Sequence, residues 1–325
     1  MSTDSTRPAD SVPGHFSGTS AVRTAKRFFH ATRPKFYPAS VLPVLAGTAW
    51  GFAAAGKFDL MLFALALLAT VCVHAGSNVL NDVGDEEAGT DRQNSDRIYP
   101  YTGGSRFIQT GIMETAAMAR LGISLLAVAA VAGLVLLLAR GPMILLFGFI
   151  GVALGALYSL GPLRFSAIGL GETAVAIAFG VLPVTGAAWL QSGVVDLDVL
   201  AYSLPVSAWV AAILLINEVP DIGPDAATGK RTLPVRLGLA GTAYAYFGVQ
   251  AAALAAIVAL TVSGALPLLS PLVPIALLAP ALKSAAAIRR GLENRDALTR
   301  AIETTLGIHT LGTLWLCACA LFPVW

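Results

Sequence analysis

The stretch VSAWVAAILLINEVPDIGPDAATGKRT, residues 206–232, joins two kinds of chain. From Val206 to Ile216 there is no charged residue, and the fourteen residues from Glu218 to Arg231 then hold Glu218, Asp221, Asp225, Lys230 and Arg231. Only 12% of the chain is charged, so this is a marked concentration. An apolar run that stops in a burst of charge reads as a helix leaving a bilayer for water.

The rest of the 325 residues carries the same signal. The chain is 56% hydrophobic with a mean hydropathy of +0.74, outside the soluble range and inside the membrane class. Apolar runs and their breaks predict nine transmembrane helices, at 36–56, 60–83, 114–138, 142–160, 169–191, 197–217, 239–263, 268–288 and 302–323. Arg140-Gly141-Pro142 and Gly161-Pro162 punctuate them. The fold class expected is therefore all-α integral membrane, and the 32 glycines suit close helix packing. The short third–fourth and seventh–eighth links suggest antiparallel hairpins. Residues 1–30 are expected to be a disordered cytosolic tail, and 31–325 a single transmembrane domain. The tail lacks the apolar core of a cleaved signal peptide. Cys72, Cys317 and Cys319 are an odd count in apolar runs and support neither a disulfide framework nor a zinc site.

With the N-terminus in the cytosol, nineteen of the twenty-one Lys and Arg residues fall on the inner side, leaving only Lys57 and Arg140 outside. That asymmetry fixes the expected orientation in the cell inner membrane, with the C-terminus on the opposite face and Trp315 and Trp325 as interfacial residues. The opening stretch then lies at the cytosolic end of the sixth helix.

A second stretch repeats it. Residues 77–97, SNVLNDVGDEEAGTDRQNSDR, close the second helix with Asn81, Asp85 and Asp91. Asn81 to Asn217 and Asp85 to Asp221 are both separations of 136 residues, which implies two four-helix repeats plus a ninth helix. Spacing of four stacks side chains on one helix face, an argument cleaner for Asn81 and Asp85 than for Asp221 and Asp225, where Pro220 and Pro224 intervene. Two such sets facing each other would make an oxygen-lined cage whose carboxylates repel unless a cation lies between them. Hard oxygen donors without His or Cys favour Mg2+, which keeps waters and takes substrate phosphates. A single acidic cluster would read as solvated surface; the matched pair points to a magnesium–diphosphate site.

RPKFYPASVLPVLAGTAWG (33–51), SNVLNDVGDEEAGTD (77–91), TGGSRFIQTG (102–111), YSLGPLRFSAIGLGE (158–172) and GKRTLPVRLG (229–238) together resemble the UbiA-type membrane prenyltransferases. The likeness is strongest to the branch acting on 1,4-dihydroxy-2-naphthoate in menaquinone biosynthesis. The resemblance implies transfer of a polyprenyl group from an isoprenyl diphosphate to an aromatic acceptor, with loss of CO2 in that branch. It implies Mg2+ held by Asn81, Asp85 and Asp91 on one side and by Asn217, Asp221 and Asp225 on the other. Lys230 and Arg231 would meet the diphosphate, and Tyr158 would lie near the reacting carbons. Arg106, in Gly103-Gly104-Ser105-Arg106, and Lys35 with Arg33 are further diphosphate contacts, alongside simpler readings as a loop turn and a helix anchor. His74 reads as a satisfied core histidine, Glu172 as an acid at a helix N-terminus, and Glu218 as secondary. Two departures stand out: Gly89 occupies the place of the family's usual last acid, and Pro220 stands where many relatives have Arg.

Other acceptors remain open within the family: 4-hydroxybenzoate, haem, a chlorophyll precursor or a glycerol phosphate. A cation or solute transporter is the rival class, but its sites tend to the midplane, whereas both acid sets lie at one edge. The expected partners are the donor, the acceptor and the lipid bilayer. Neither nucleic acid nor an obligate protein partner is implied.

Overall fold

A computed structural model of the protein describes residues 16, 20–88, 97–159 and 164–322, whose regular structure is helical, with no strand among them. Order begins earlier than the sequence suggests. Ser20 caps α1 (Ala21–Ala31) by accepting from the Arg23 amide at 3.4 Å, so the last part of the expected tail is a helix. The reason is local: small and long-chain residues with an N-cap hydroxyl form a helix even where overall apolarity is low.

After a turn at Pro34–Phe36 come α2 (Pro38–Ala55), α3 (Leu60–Ala88), α4 (Thr115–Arg140) and α5 (Met143–Ser159). A short α6 (Phe165–Ile168) leads into α7 (Gly171–Ser192), which contains a π-helical segment at Ile177–Val181. Then come α8 (Leu197–Asn217), a 3-10 turn at Val219–Asp221, α9 (Ile222–Ala227) and α10 (Leu233–Val262). The chain ends in α11 (Leu272–Arg290), a 3-10 turn at Gly291–Asn294 and α12 (Arg295–Leu321).

Among the described residues seven segments are long and apolar enough to cross a membrane, the last of them running from Leu272 to Leu321 through α11, the 3-10 turn and α12; Met143–Tyr158 is a shorter apolar helix. The protein is thus an all-helical, multi-pass membrane protein. Several helices outrun their apolar stretch. α3 has 29 residues, a length of about 43 Å against a hydrocarbon layer of about 30 Å. Its acidic end therefore stands clear of lipid.

α8 is the most enclosed span, with 72% of its apolar window buried, whereas α4 is only 22% buried and turns Ile123, Val131, Leu134 and Leu138 outward. Tyr202, Trp209, Tyr246, Ile257, Ile302 and Leu316 make the centre around α8, α10 and α12. Small residues set the closest crossings. A Cβ at Gly47 or Gly51 of α2 would overlap the α7 backbone at Val184 and Ala188, and one at Gly180 would overlap Ser207 of α8. Polar pairs link helices, Ser40 with His74 and Tyr246 with Thr305 at 2.7 Å, and Trp315 Nε1 ties α12 to the Ser270 carbonyl before α11 at 2.8 Å. His74 is thus a satisfied interior histidine, as expected.

The α7–α8 contact shapes the polar end of the bundle. α7 starts and α8 finishes at the same end, so their packing at Gly180 and Ser207 brings the beginning of one beside the close of the other.

Candidate active site

The first acid set lies on one uninterrupted helix. Asn81 Nδ2 donates to Asp85 Oδ2 at 2.7 Å, one turn along α3, so the spacing of four does put both groups on one face. Between them Asp82 points inward, 2% exposed, and its Oδ2 accepts from the Ser105 amide at 2.9 Å. One turn further, Glu86 Oε2 accepts from Gln109 Nε2 at 2.9 Å. Asp82 and Glu86 therefore draw the loop 97–113 back over the end of α3. Within Gly103–Arg106, the Ser105 N–H is engaged with Asp82. Arg106 is half-buried in the left-handed region, φ 56°. Asp91 lies outside the described residues.

The second set is built differently. α8 ends at Asn217, Asp221 closes a 3-10 turn, and Asp225 lies in the first turn of the separate short helix α9. Pro220 lacks the amide an α-helix would need there, so the single helical face suggested by spacing does not form. Compactness replaces regularity: the Asp221 amide donates to the Glu218 carbonyl at 3.0 Å, and the Lys230 amide donates to the Asp225 carbonyl at 3.0 Å. The Oδ1 of Asn217 is buried without a hydrogen-bond partner.

Lys230 joins the two sets. Its ammonium lies 3.0 Å from Asp225 Oδ1 and also interacts electrostatically with Asp85 and Asp221. Partial burial alone would lower its pKa, but the three carboxylates outweigh that and hold it above the ordinary lysine value. Residues 136 positions apart in sequence, Asp85 and Asp221, thus both act electrostatically on one cation. Tyr158, at the end of α5, has Glu218, Glu172, Asp225 and Asp85 as its electrostatic neighbours, and its carbonyl accepts from Ser166 Oγ at 2.7 Å. Arg231 is anchored by its backbone, N–H to the Ala167 carbonyl at 2.7 Å, and its side chain is exposed. Lys35 lies with its Nζ 4.9 Å from the centre of the Tyr101 ring, whose hydroxyl donates to Glu303 at 2.8 Å.

Glu172 and Glu218 are the residues that sequence reasoning undervalues. Their carboxyl groups are electrostatic neighbours where α7 and α8 cross, and each keeps one buried oxygen without a hydrogen-bond partner. No motif announces this pair, because it exists only through the crossing of α7 and α8.

No group of three or more His, Cys, Asp or Glu side chains among the described residues is placed to enclose a metal without further ligands. The donors present are carboxylate and amide oxygens, with the Asn217 Oδ1 unsatisfied. They fit a magnesium ion that takes its remaining ligands from water and a phosphate group.

A sequence model of the UbiA prenyltransferase family matches residues 40–322. The chain is 35% identical over 282 residues to the 1,4-dihydroxy-2-naphthoate octaprenyltransferase of Mycobacterium tuberculosis, covering 85% of this chain and 90% of that one. It is 31% identical over 226 residues to the protein of the same name from Escherichia coli, covering 67% and 70%. In fold it is similar to a UbiA homolog from Archaeoglobus fulgidus bound to GPP and Mg2+, with a TM-score of 0.63 at 18% identity, over 90% of this chain and 99% of that one. With the family matched across almost the whole membrane-spanning region, the chain belongs to the UbiA prenyltransferase family.

Proposed function

We propose that the protein transfers a polyprenyl group from an isoprenyl diphosphate to 1,4-dihydroxy-2-naphthoate, with loss of CO2, using Mg2+. The observation that carries this reading is the convergence of Asp85, Asp221 and Asp225 on Lys230. Carboxylates from two helix ends with a cation between them are suited to receive a diphosphate together with its metal. The names of the relatives support the choice of acceptor, and the bound molecules named for the Archaeoglobus structure support the donor and metal.

In this reading Asn81, Asp85, Asn217, Asp221 and Asp225 hold the metal, with Asp91 assigned to the same set. Bound Mg2+ would supply charge compensation to the leaving diphosphate. Lys230 releases Asp225 and donates to the diphosphate oxygens, with Arg231, Arg106 and Lys35 as outer cations. The allylic C–O bond breaks, a ring carbon of the acceptor forms the new C–C bond, and the carboxylate leaves as CO2, returning its electron pair to the ring. Tyr158 lies between the acid sets, beside the reacting carbons.

The same reading takes residues 31–325 as one domain with nine crossings, in two four-helix repeats plus α12. The N-terminus and the site face the cytosol, and the C-terminus lies across the inner membrane. The test uses purified protein, Mg2+, mixed isoprenyl diphosphates and an equimolar mixture of dihydroxynaphthoate and 4-hydroxybenzoate. Mass spectrometry should find prenylated naphthoate product lacking the carboxyl mass; prenylated hydroxybenzoate alone would overturn the acceptor.

A further inference from the structure

We propose that α1 is an in-plane membrane helix that docks on anionic phospholipid headgroups of the leaflet bearing the active site. Along α1, the 3.6-residue period puts Ala21, Val22, Ala25, Phe28 and Phe29 on one side. That side faces away from the protein: Val22 is 66%, Phe28 37% and Phe29 54% exposed. The side that meets the protein holds Ala31, 0% exposed, which packs with Val79, Phe107, Met113 and Met118. Thr24 and Arg27 share it, half-buried and bonded to each other at 3.0 Å. A helix resting on a protein surrounded by water would be the other way round, with its apolar side inward. Here Lys26 borders the apolar stripe and Arg23 lies one turn before it on the polar side, both exposed.

Position identifies the occupant. Two residues after α1 the chain turns into the first apolar span, and Phe107, which α1 abuts, lies in the loop that Asp82 ties to the end of α3. The helix is therefore held at the level where spans leave the bilayer, on the same side as both acid sets. Its exposed apolar stripe suits an apolar surrounding, and its cations match a negatively charged leaflet. An apolar stripe with basic flanks, lying parallel to the membrane, is bound by burial of its aromatic residues and by attraction to anionic lipid.

The test reads lipid contact in the full-length protein, one copy per nanodisc, by hydrogen–deuterium exchange of amides 21–31. Discs are made of phosphatidylcholine alone or of phosphatidylcholine with phosphatidylglycerol. Exchange should slow by roughly tenfold or more in the anionic discs, the effect of two cations close to a charged leaflet. Arg23→Glu with Lys26→Glu should remove that difference, and Phe28→Ser with Phe29→Ser should speed exchange in both lipids. Equal exchange in the two lipids, or indifference to the Phe substitutions, would overturn the proposal and leave a helix held by protein alone. Asp85→Ala should show the wild-type lipid response, so failure of the catalytic assignment and failure of this one are separate results.

Discussion

Lys230 Nζ and Asp225 Oδ1 stand 3.0 Å apart at the two ends of one tight turn, an ion pair placed between two acid sets from different helices. The pair keeps one carboxylate neutralised while Asp85 and Asp221 remain close by. A diphosphate with its metal brings both the anion for Lys230 and the cation for Asp225, so binding exchanges one set of charge partners for another.

Lys230→Ala should therefore cost turnover without removing metal binding, since the carboxylates remain. We expect a loss of roughly a hundredfold to a thousandfold in kcat, the scale for deleting one charged donor to a developing anion. Lys230→Arg should recover part of it. Steady-state kinetics over a Mg2+ series would show this as a fall in kcat with little change in the metal dependence.

Asp85→Ala and Asp221→Ala should each abolish Mg2+-dependent transfer while the protein still inserts and purifies. The Asn variants should retain residual turnover that requires higher Mg2+. Unchanged turnover in either Ala variant would sink the metal-site assignment.

The Glu172–Glu218 pair makes a separable prediction. Glu172→Gln keeps a polar neighbour beside Glu218 and should leave thermal stability in detergent nearly unaltered. Glu172→Ala leaves the Glu218 carboxyl buried without its partner, a cost of about 1–3 kcal/mol. Thermal unfolding of the two variants side by side distinguishes them.

The share of the fold legible in the sequence depends on the physical quantity behind each signal. Apolarity marks the lipid-embedded part of a helix and says little about its protruding ends. α12 begins at Arg295, seven residues before its apolar run at 302, because Asn294 caps it in water by accepting from the Ala297 amide at 3.0 Å. The apolar run predicts a start for α10 at 239, and the structure starts it at Leu233, with Gly238 breaking the helical geometry at φ 65°. Spacing of four is decisive for Asn81 and Asp85 because nothing interrupts α3. It fails beyond Asn217, where Pro220 ends the α-helical hydrogen bonding. The contact of Glu172 with Glu218 has no local signal, since it depends on a crossing set by Gly180 and Ser207.

The other close crossing, of α2 with α7, supplies a packing prediction. Gly51→Val forces a branched side chain into the α7 backbone at Ala188 and should destabilise the protein by about 1–3 kcal/mol. Gly56→Val is the control for steric overlap, because nothing lies within 4 Å of its Cβ direction. Its positive φ of 67° still carries a backbone penalty, so the comparison is read from the difference between the two.

Tyr101 gives a pH signature. Burial first, then the hydrogen bond to Glu303 and the charge of that carboxylate, push its pKa up to about 12. The folded chain thus keeps a proton that the unfolded chain loses near the ordinary tyrosine value of about 10. The corresponding stability is full below that pH and falls as pH rises towards about 12. Ultraviolet titration of wild type minus Tyr101→Phe should place this phenol near the upper value, and Glu303→Gln should move it down.

The contrast between the two acid sets has a mechanical consequence. Asn81 and Asp85 ride on a 29-residue helix and cannot change their separation without unwinding it. Asp221 and Asp225 ride on a 3-10 turn and a six-residue helix, followed by Gly229 at φ 79°. Any adjustment to a larger or smaller headgroup falls to residues 218–232, so the site is a fixed reference edge faced by a jointed one.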